Sequence, residues 1–271
     1  MRRSIAAALA EMRNQQGLSN IDLSLRCGWS TSKTSRIARG LQLASARDIQ
    51  LWCDACQEPS RAGELIAKAL SAETMYVEWQ RLHRHGLRQV HERTTPLYER
   101  TRTFRVYSSS VIPGMLQTKE YATGLLQMIT DFQHTPNDVP EAVEARLARS
   151  GVVYRGRRNL AVLLEETVLH HLVCPPDAMA QQLHRLLAVM RRQRVSVGVL
   201  PLGVRRAVWP VESFYAFDHS QVAVENLTAE VNITSPGEIA TYLDAFEQLA
   251  ASAIFGTAAR ERVRRAIQAL E

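Results

Sequence analysis

GWSTSKTSRIARG, residues 28–40, is an unusually polar segment for a chain that is 46% hydrophobic. Five of the six residues after Trp29 carry hydroxyls, the sixth is Lys33, and Ile37 is the only large apolar residue in the second half. A core helix shows an apolar stripe at i, i+3, i+4 and i+7, and this segment has too little of one to be buried all round. Its outward side suits a polar, negatively charged surface.

The flanking residues frame it as one of a set of short helices. Residues 3–15 place Ile5, Leu9 and Met12 on one face, and Gly17 closes that helix. Ser19 is placed to cap a second helix, in which Leu23 and Cys27 stand four apart before Gly28 ends it. Ser30 then caps a third helix starting at Thr31, closed by Gly40. Two short helices joined by a tight glycine turn make a helix-turn-helix. ASARDIQLWCDAC adds a fourth helix with Ile49, Trp52 and Cys53 inward, and RAGELIAKAL a fifth after Pro59. Cys53 and Cys56 form a lone CxxC with no second pair and no suitably spaced His, which reads as two buried helix cysteines rather than a metal or redox site.

LSNIDLSLRCGWSTSKTSRIARG, residues 18–40, resembles the helix-turn-helix of the Xre and lambda-repressor-like regulators. Leu18, Ser19, Leu23, Gly28, Ser30, Ser35, Arg36, Ile37, Arg39 and Gly40 fall in register with that pattern. Asn20 stands where a Gln is usual, which shortens its reach toward a phosphate, and Ala38 where a Glu is usual. The resemblance implies that the third helix lies in the major groove of double-stranded DNA, with its N-terminal residues against base edges. It assigns base or near-base contacts to Thr31, Ser32, Lys33 and Arg36, and phosphate contacts to Asn20, Arg13 and Arg39. An Arg can pair in bidentate fashion with guanine, and short hydroxyls let the helix approach closely. It further implies a homodimer on two half-sites about one helical turn apart, with residues 72–271 expected to supply the dimer contact because residues 1–71 hold little spare apolar surface.

Charge distribution agrees with that placement. The 271-residue chain carries a net charge of +6. Residues 1–71 hold 10 Lys/Arg against 6 Asp/Glu, residues 72–110 hold 7 against 4, and residues 111–271 hold 16 against 17. The basic excess thus lies wholly in the first 110 residues, the part suited to a polyanion. No run approaches the ~18 residues of a membrane span, and the charged start is unlike a signal peptide. Four cysteines make no disulfide framework. A cytoplasmic protein with no membrane partner is expected.

The remainder reads as a different kind of domain, giving a fold class of α+β or mixed type: an all-α five-helix helix-turn-helix domain over 1–71, then a mixed α/β domain over 72–271. RTFRVY (102–107) alternates like a strand or extended arm, and Gln117 or Thr118 opens a helix with Tyr121, Leu125 and Leu126 inward. The sequence enters a strand within 157–166, a helix over 177–193 and a second strand over 195–202, a crossover unit of a partly parallel sheet. SFYAFD, QVAVENL and AEVNIT predict a meander with a turn at Asp218-His219-Ser220, and two helices, 238–252 and 257–270, finish the chain. His83, His85 and His91 are scattered among arginines with no metal spacing and read as surface imidazoles.

VIPGMLQTKEYATGLL, RRNLAVLLEETVLHHLV, QQLHRLL, VSVGVLPL, WPVESFYAFD and YLDAFEQLA resemble, in that order, the C-terminal domain carried by a large group of actinobacterial helix-turn-helix regulators. That likeness covers nearly all of 75–271 and implies a transcriptional regulator, antitoxin-like, associated with a small protein encoded nearby.

Against catalysis, Glu166 and His170 are spaced i and i+4, yet no HExxH, GxSxG, GxGxxG or P-loop occurs. No enzyme, cofactor or metal is therefore expected. A large domain of balanced charge suits a receiver, and Glu166, Trp209, Phe214, Tyr215 and Phe217 are its candidate ligand or partner pocket. The alternative is a protein-interaction module whose degenerate helix-turn-helix serves assembly.

Overall fold

The structure, a computed structural model, describes residues 2–42, 44–66, 76–83 and 86–270. The chain divides into two compact units, Met1–Tyr76 and Val77–Glu271. The boundary expected between 71 and 72 falls within residues 67–75, outside the described residues.

The first unit is helical: α1 (Arg2–Gln15), α2 (Asn20–Cys27), α3 (Thr31–Ala38), α4 (Ala46–Ala55) and α5, of which 62–66 are described. The remainder of the expected fifth helix lies outside the described residues. Each helix start follows from a local device. Ser19 and Asp22 form a capping box at α2, and Ser45 and Asp48 form another at α4. Ser30 caps α3 by accepting from the Lys33 amide. Gly28 ends α2 in the left-handed conformation at φ 72°, where a β-carbon would clash with its own backbone. The apolar stripes of α1 to α4 meet around Trp52, which is fully buried and donates its indole N–H to the Leu9 carbonyl at 2.9 Å. Cys27, Cys53 and Cys56 are free and buried in this core, and burial pushes the Cys27 and Cys53 thiols up to about 11.

The second unit is built on one mixed sheet of six strands: β2 (Thr103–Ser108), β3 (Asn159–Glu165), β4 (Val195–Leu200), β5 (Phe214–Phe217), β6 (Gln221–Glu225) and β7 (Ala229–Ile233), with the three-residue β1 (Tyr76–Glu78) added beside β7. Strands β2, β3 and β4 are parallel, with Val106, Val162 and Val197 in register. Strands β5, β6 and β7 form the antiparallel meander, joined to β2 through β5. The near-continuous apolar run of β3, LAVLL, suits a parallel strand covered on both faces.

Six of the unit's helices are α7 (Arg88–Arg100), α8 (Lys119–Gln133), α9 (Val139–Val153), α10 (Pro176–Val189), α11 (Pro236–Ser252) and α12 (Gly256–Gln268); a single turn, α6 (Trp79–Leu82), precedes them. The pleat of β5 assigns the two faces. Phe214 points to α11, with ring centroids 5.0 Å from Tyr242 and 6.5 Å from Phe246, whereas Phe217 packs on Tyr98 of α7 at 5.5 Å. Helices α10 and α12 pack together in the main core beside β4. At the start of α7 the Asp138 carboxylate accepts from the Leu87 and Arg88 amides at 2.8 and 2.9 Å, tying α7 to α9.

Two expectations are corrected. His83 and His91 are buried, not surface imidazoles: His83 stacks on Trp79 at 4.8 Å and meets the Gln133 side chain of α8 at 2.5 Å, and His91 shares with Thr94 and Tyr98 the stripe of α7 turned inward against α9; His85 lies outside the described residues. The first unit also does expose apolar side chains: Ile21 and Leu25, one turn apart on α2, and Leu41 after α3. No helix among the described residues is long and apolar enough to cross a membrane.

Candidate nucleic-acid interface

α3 is amphipathic in the sense its sequence requires. Thr34 and Ile37 are buried against the first unit's core, while Thr31, Ser32, Arg36 and Arg39 are exposed on its other side. The helix is held by its neighbours rather than by its own apolar content. Trp29, just before it, donates its indole N–H to Thr34 Oγ1 at 2.8 Å and packs on Trp52 with centroids 6.4 Å apart. Buried Ser24 of α2 donates to the Ile21 carbonyl and meets the Thr31 hydroxyl at 3.1 Å, fixing the entry of α3 against α2.

The basic residues divide into oriented and paired ones. Arg36 donates from Nη1 to Ser32 Oγ at 2.9 Å and from Nε to Gln42 Oε1 at 3.0 Å, which holds its fork on the exposed face. Arg39 donates to the Ser35 carbonyl at 3.2 Å and is otherwise solvated. Arg13 and Asn20 are brought together across the α1–α2 turn, Arg13 Nη1 donating to Asn20 Oδ1 and Nη2 to Asn14 Oδ1. Lys33, expected at the bases, is turned inward. Its ammonium pairs with Asp48 at 2.6 Å and lies 4.4 Å from the Trp29 ring centroid, so its charge is already matched within the unit.

That pair makes Asp48 a joint between α3 and α4, since the same carboxylate closes the α4 capping box. Burial works to raise the Asp48 carboxyl, but the Lys33 ammonium and the Ser45 donors outweigh it and hold it below the ordinary carboxylate range. A carboxylate depressed in the folded state contributes its full stability above its unfolded pKa and loses it as pH falls through the folded value. Asp48→Asn is therefore expected to destabilise the first unit by about 1.5–3 kcal/mol at pH 7. The difference from wild type should shrink below about pH 4, which unfolding curves at pH 7 and pH 3 would measure. An equal loss at both pH values would show that the charge of Asp48 is irrelevant.

The candidate pocket residues of the second unit do not form one group. Adjacent strand residues face opposite sides of a sheet, so Phe214 is buried under α11, while Tyr215 and Phe217 line a cavity on the α7 side. Trp209 is 74% exposed in the loop after β4. Glu166 is paired with Arg262 at 2.9 Å and accepts the Leu202 amide at 2.8 Å, anchoring that loop. It lies in a 3-10 turn and not on a helix with His170. Among the described residues no group of three or more His, Cys, Asp or Glu is placed to hold a metal ion. Gln42 and Trp29 carry no local sequence signal that marks them as supports of the α3 face, whereas the Ser45-x-x-Asp48 spacing is such a signal for Asp48.

Comparison with known proteins agrees with this division. Residues 4–64 match the model of a helix-turn-helix domain, and residues 93–265 match that of a domain of unknown function, DUF5753. Comparison with curated proteins finds no match. Among solved structures, one similar chain is TrmBL2, described as an archaeal chromatin protein whose structure shows a novel mode of DNA binding. It is 13% identical, with 88% of this chain and 87% of that chain covered, at a TM-score of 0.32. At that score it bears on neither the fold nor the function of this chain. The match over 93–265 spans more than half of the chain, behind a helix-turn-helix domain, and the chain belongs to the DUF5753 family.

Proposed function

We propose that this chain is a sequence-specific DNA-binding transcriptional regulator of the Xre type, acting in the cytoplasm as a homodimer and without catalysis or a cofactor. The observation that carries the reading is the outer face of α3, where Thr31, Ser32 and Arg36 are exposed and the Arg36 fork is held in place by Ser32 and Gln42. Side chains held before docking lose less conformational freedom on binding. The Arg13–Asn20 pair and Arg39 provide phosphate contacts at the margins of that face. Two copies would read half-sites about one helical turn apart. The C-terminal domain then receives the input that sets DNA affinity, in an antitoxin-like arrangement with a small protein encoded nearby or through a small ligand.

One observation favours the alternative of a protein-interaction module: Ile21, Leu25 and Leu41 expose apolar surface on the helix-turn-helix unit. Salt separates the two readings. On DNA fragments enriched from genomic DNA by the full-length protein, raising salt from 50 to 200 mM should weaken binding about a thousandfold for six or so neutralised phosphates. An assembly built on apolar contacts would hold or tighten over the same range. Retention of DNA that does not respond to salt would overturn the DNA-reading proposal.

A further inference from the structure

The second unit holds a cavity of about 550 Å³, open to the surface, between α7, α8 and α9 on one side and β5, β6 and β7 on the other. That volume is in the range of small-molecule sites, and the wall is mostly apolar, as such sites are. Its polar groups set it apart from a packing defect. Arg146 is 8% exposed, its Nε has no partner, and among the described residues its guanidinium forms no ion pair and no hydrogen bond. Arg149, one turn further along α9, donates once to Thr94 and lies 4.7 Å from the Tyr98 ring, with its Nε also unpartnered. His91 of α7 is buried with both ring nitrogens unpaired.

Native structures rarely leave buried polar groups unsatisfied, and a buried charge without a partner is costlier still. Here three such groups, from two helices, line one cavity. Burial, together with the two guanidinium charges, holds His91 well below the ordinary imidazole range, so it is neutral and offers one donor and one acceptor. Glu225 and Glu230 face the same cavity from β6 and β7 without pairing with either arginine; burial and the neighbouring Glu225 push the Glu230 carboxyl up toward its neutral form, which leaves Glu225 to offset one of the two positive charges. The balance suits a single negative charge better than a dianion such as phosphate. Met128, Phe132 and Leu227 are exposed and also line the cavity, which extends the apolar wall to the surface.

We propose that this cavity is a binding site for a small organic monoanion, a carboxylate on an aliphatic or aromatic body, with Arg146 and Arg149 taking the carboxylate and the apolar wall taking the body. Arg forks match carboxylates in bidentate geometry, which accounts for guanidinium groups here in place of lysines. Gly114 fits the same assignment. A β-carbon there would come within 2.9 Å of Arg146 Nε, so the missing side chain is what leaves the guanidinium its place. The assignment deepens the receiver reading above and rests on it only for the consequence at DNA.

The test uses the full-length protein with decanoate and 1-naphthylacetate against the matched alcohols, decanol and 1-naphthylethanol, by calorimetry and thermal unfolding. The acids should bind about tenfold or more tightly than the alcohols and raise the unfolding temperature. Arg146→Met should abolish the preference for acids while leaving the unfolding temperature of the free protein unchanged or higher, because it removes a buried unpaired charge. Gly114→Ala should weaken the acids and spare the alcohols. Equal binding of acids and alcohols, no binding of either acid, or a free Arg146→Met protein that unfolds several degrees lower would overturn the proposal. Acid binding that leaves DNA affinity unchanged would keep the site and overturn the receiver reading instead.

Discussion

Trp52→Ala is expected to cost the first unit about 3–5 kcal/mol, enough to unfold much of a small helical domain. Trp52 is fully buried, its ring is packed on Trp29, and its indole N–H finds its partner in the Leu9 carbonyl at 2.9 Å. Truncation opens a cavity and removes that buried side-chain bond. It also removes the surface that seats Trp29, which holds Thr34 and so the pose of α3. DNA binding should fall with stability. Hydrogen exchange on the full chain is the measurement: amides of α1 to α4 should lose protection, and amides of β3 should keep theirs, since the packing around Trp52 is confined to the first unit. Unchanged protection in α1 to α4 would show that Trp52 is not the keystone of this core.

Arg36→Ala is expected to cost about 1–3 kcal/mol on the cognate site and to blunt discrimination at one base pair. Arg39→Ala should instead weaken cognate and random DNA nearly alike, as a phosphate contact does. The difference follows from placement. Arg36 projects from the exposed face of α3 with its fork steered by Ser32 and Gln42, whereas Arg39 lies past the end of α3 and, among the described residues, bonds to a backbone carbonyl alone. Gln42→Ala should produce a weaker form of the Arg36 phenotype, because it frees the fork without removing it. Binding to a library with single base-pair changes in the site reads all three variants. Equal, sequence-independent losses for Arg36→Ala and Arg39→Ala would make Arg36 a phosphate contact.

Much of the first unit was legible in the sequence because its signals are local. Ser19, Gly28, Ser30 and Gly40 each act on backbone within a few residues, and caps and left-handed glycines work the same way in most surroundings. The apolar spacing of Ile5, Leu9 and Met12, or of Ile49, Trp52 and Cys53, likewise needs only helix geometry to predict which side turns inward. In the second unit the crossover from β3 through α10 to β4 and the meander of β5 to β7 were readable from period and turn residues.

What escaped was set by partners distant in the chain. Lys33 reads as a free cation until Asp48, fifteen residues on, is folded against it. Phe214, Tyr215 and Phe217 look like one aromatic cluster, but the strand pleat separates them and gives Phe214 to α11 and the other two to the cavity.

Local signals in the chain suffice for the capped helix-turn-helix, the exposed Arg36 face of α3, the strands β2 to β7, the helices α8, α10, α11 and α12, and the confinement of basic excess to the first 110 residues, but not for α9. Folding sets which charges remain available. It neutralises Lys33 and Glu166 through partners far along the chain, and it gathers His91 of α7, Arg146 and Arg149 of α9 and Tyr215 of β5 around one cavity. The reason is physical: capping and periodicity act over one or two turns, whereas the state of a buried charge depends on every group packed around it.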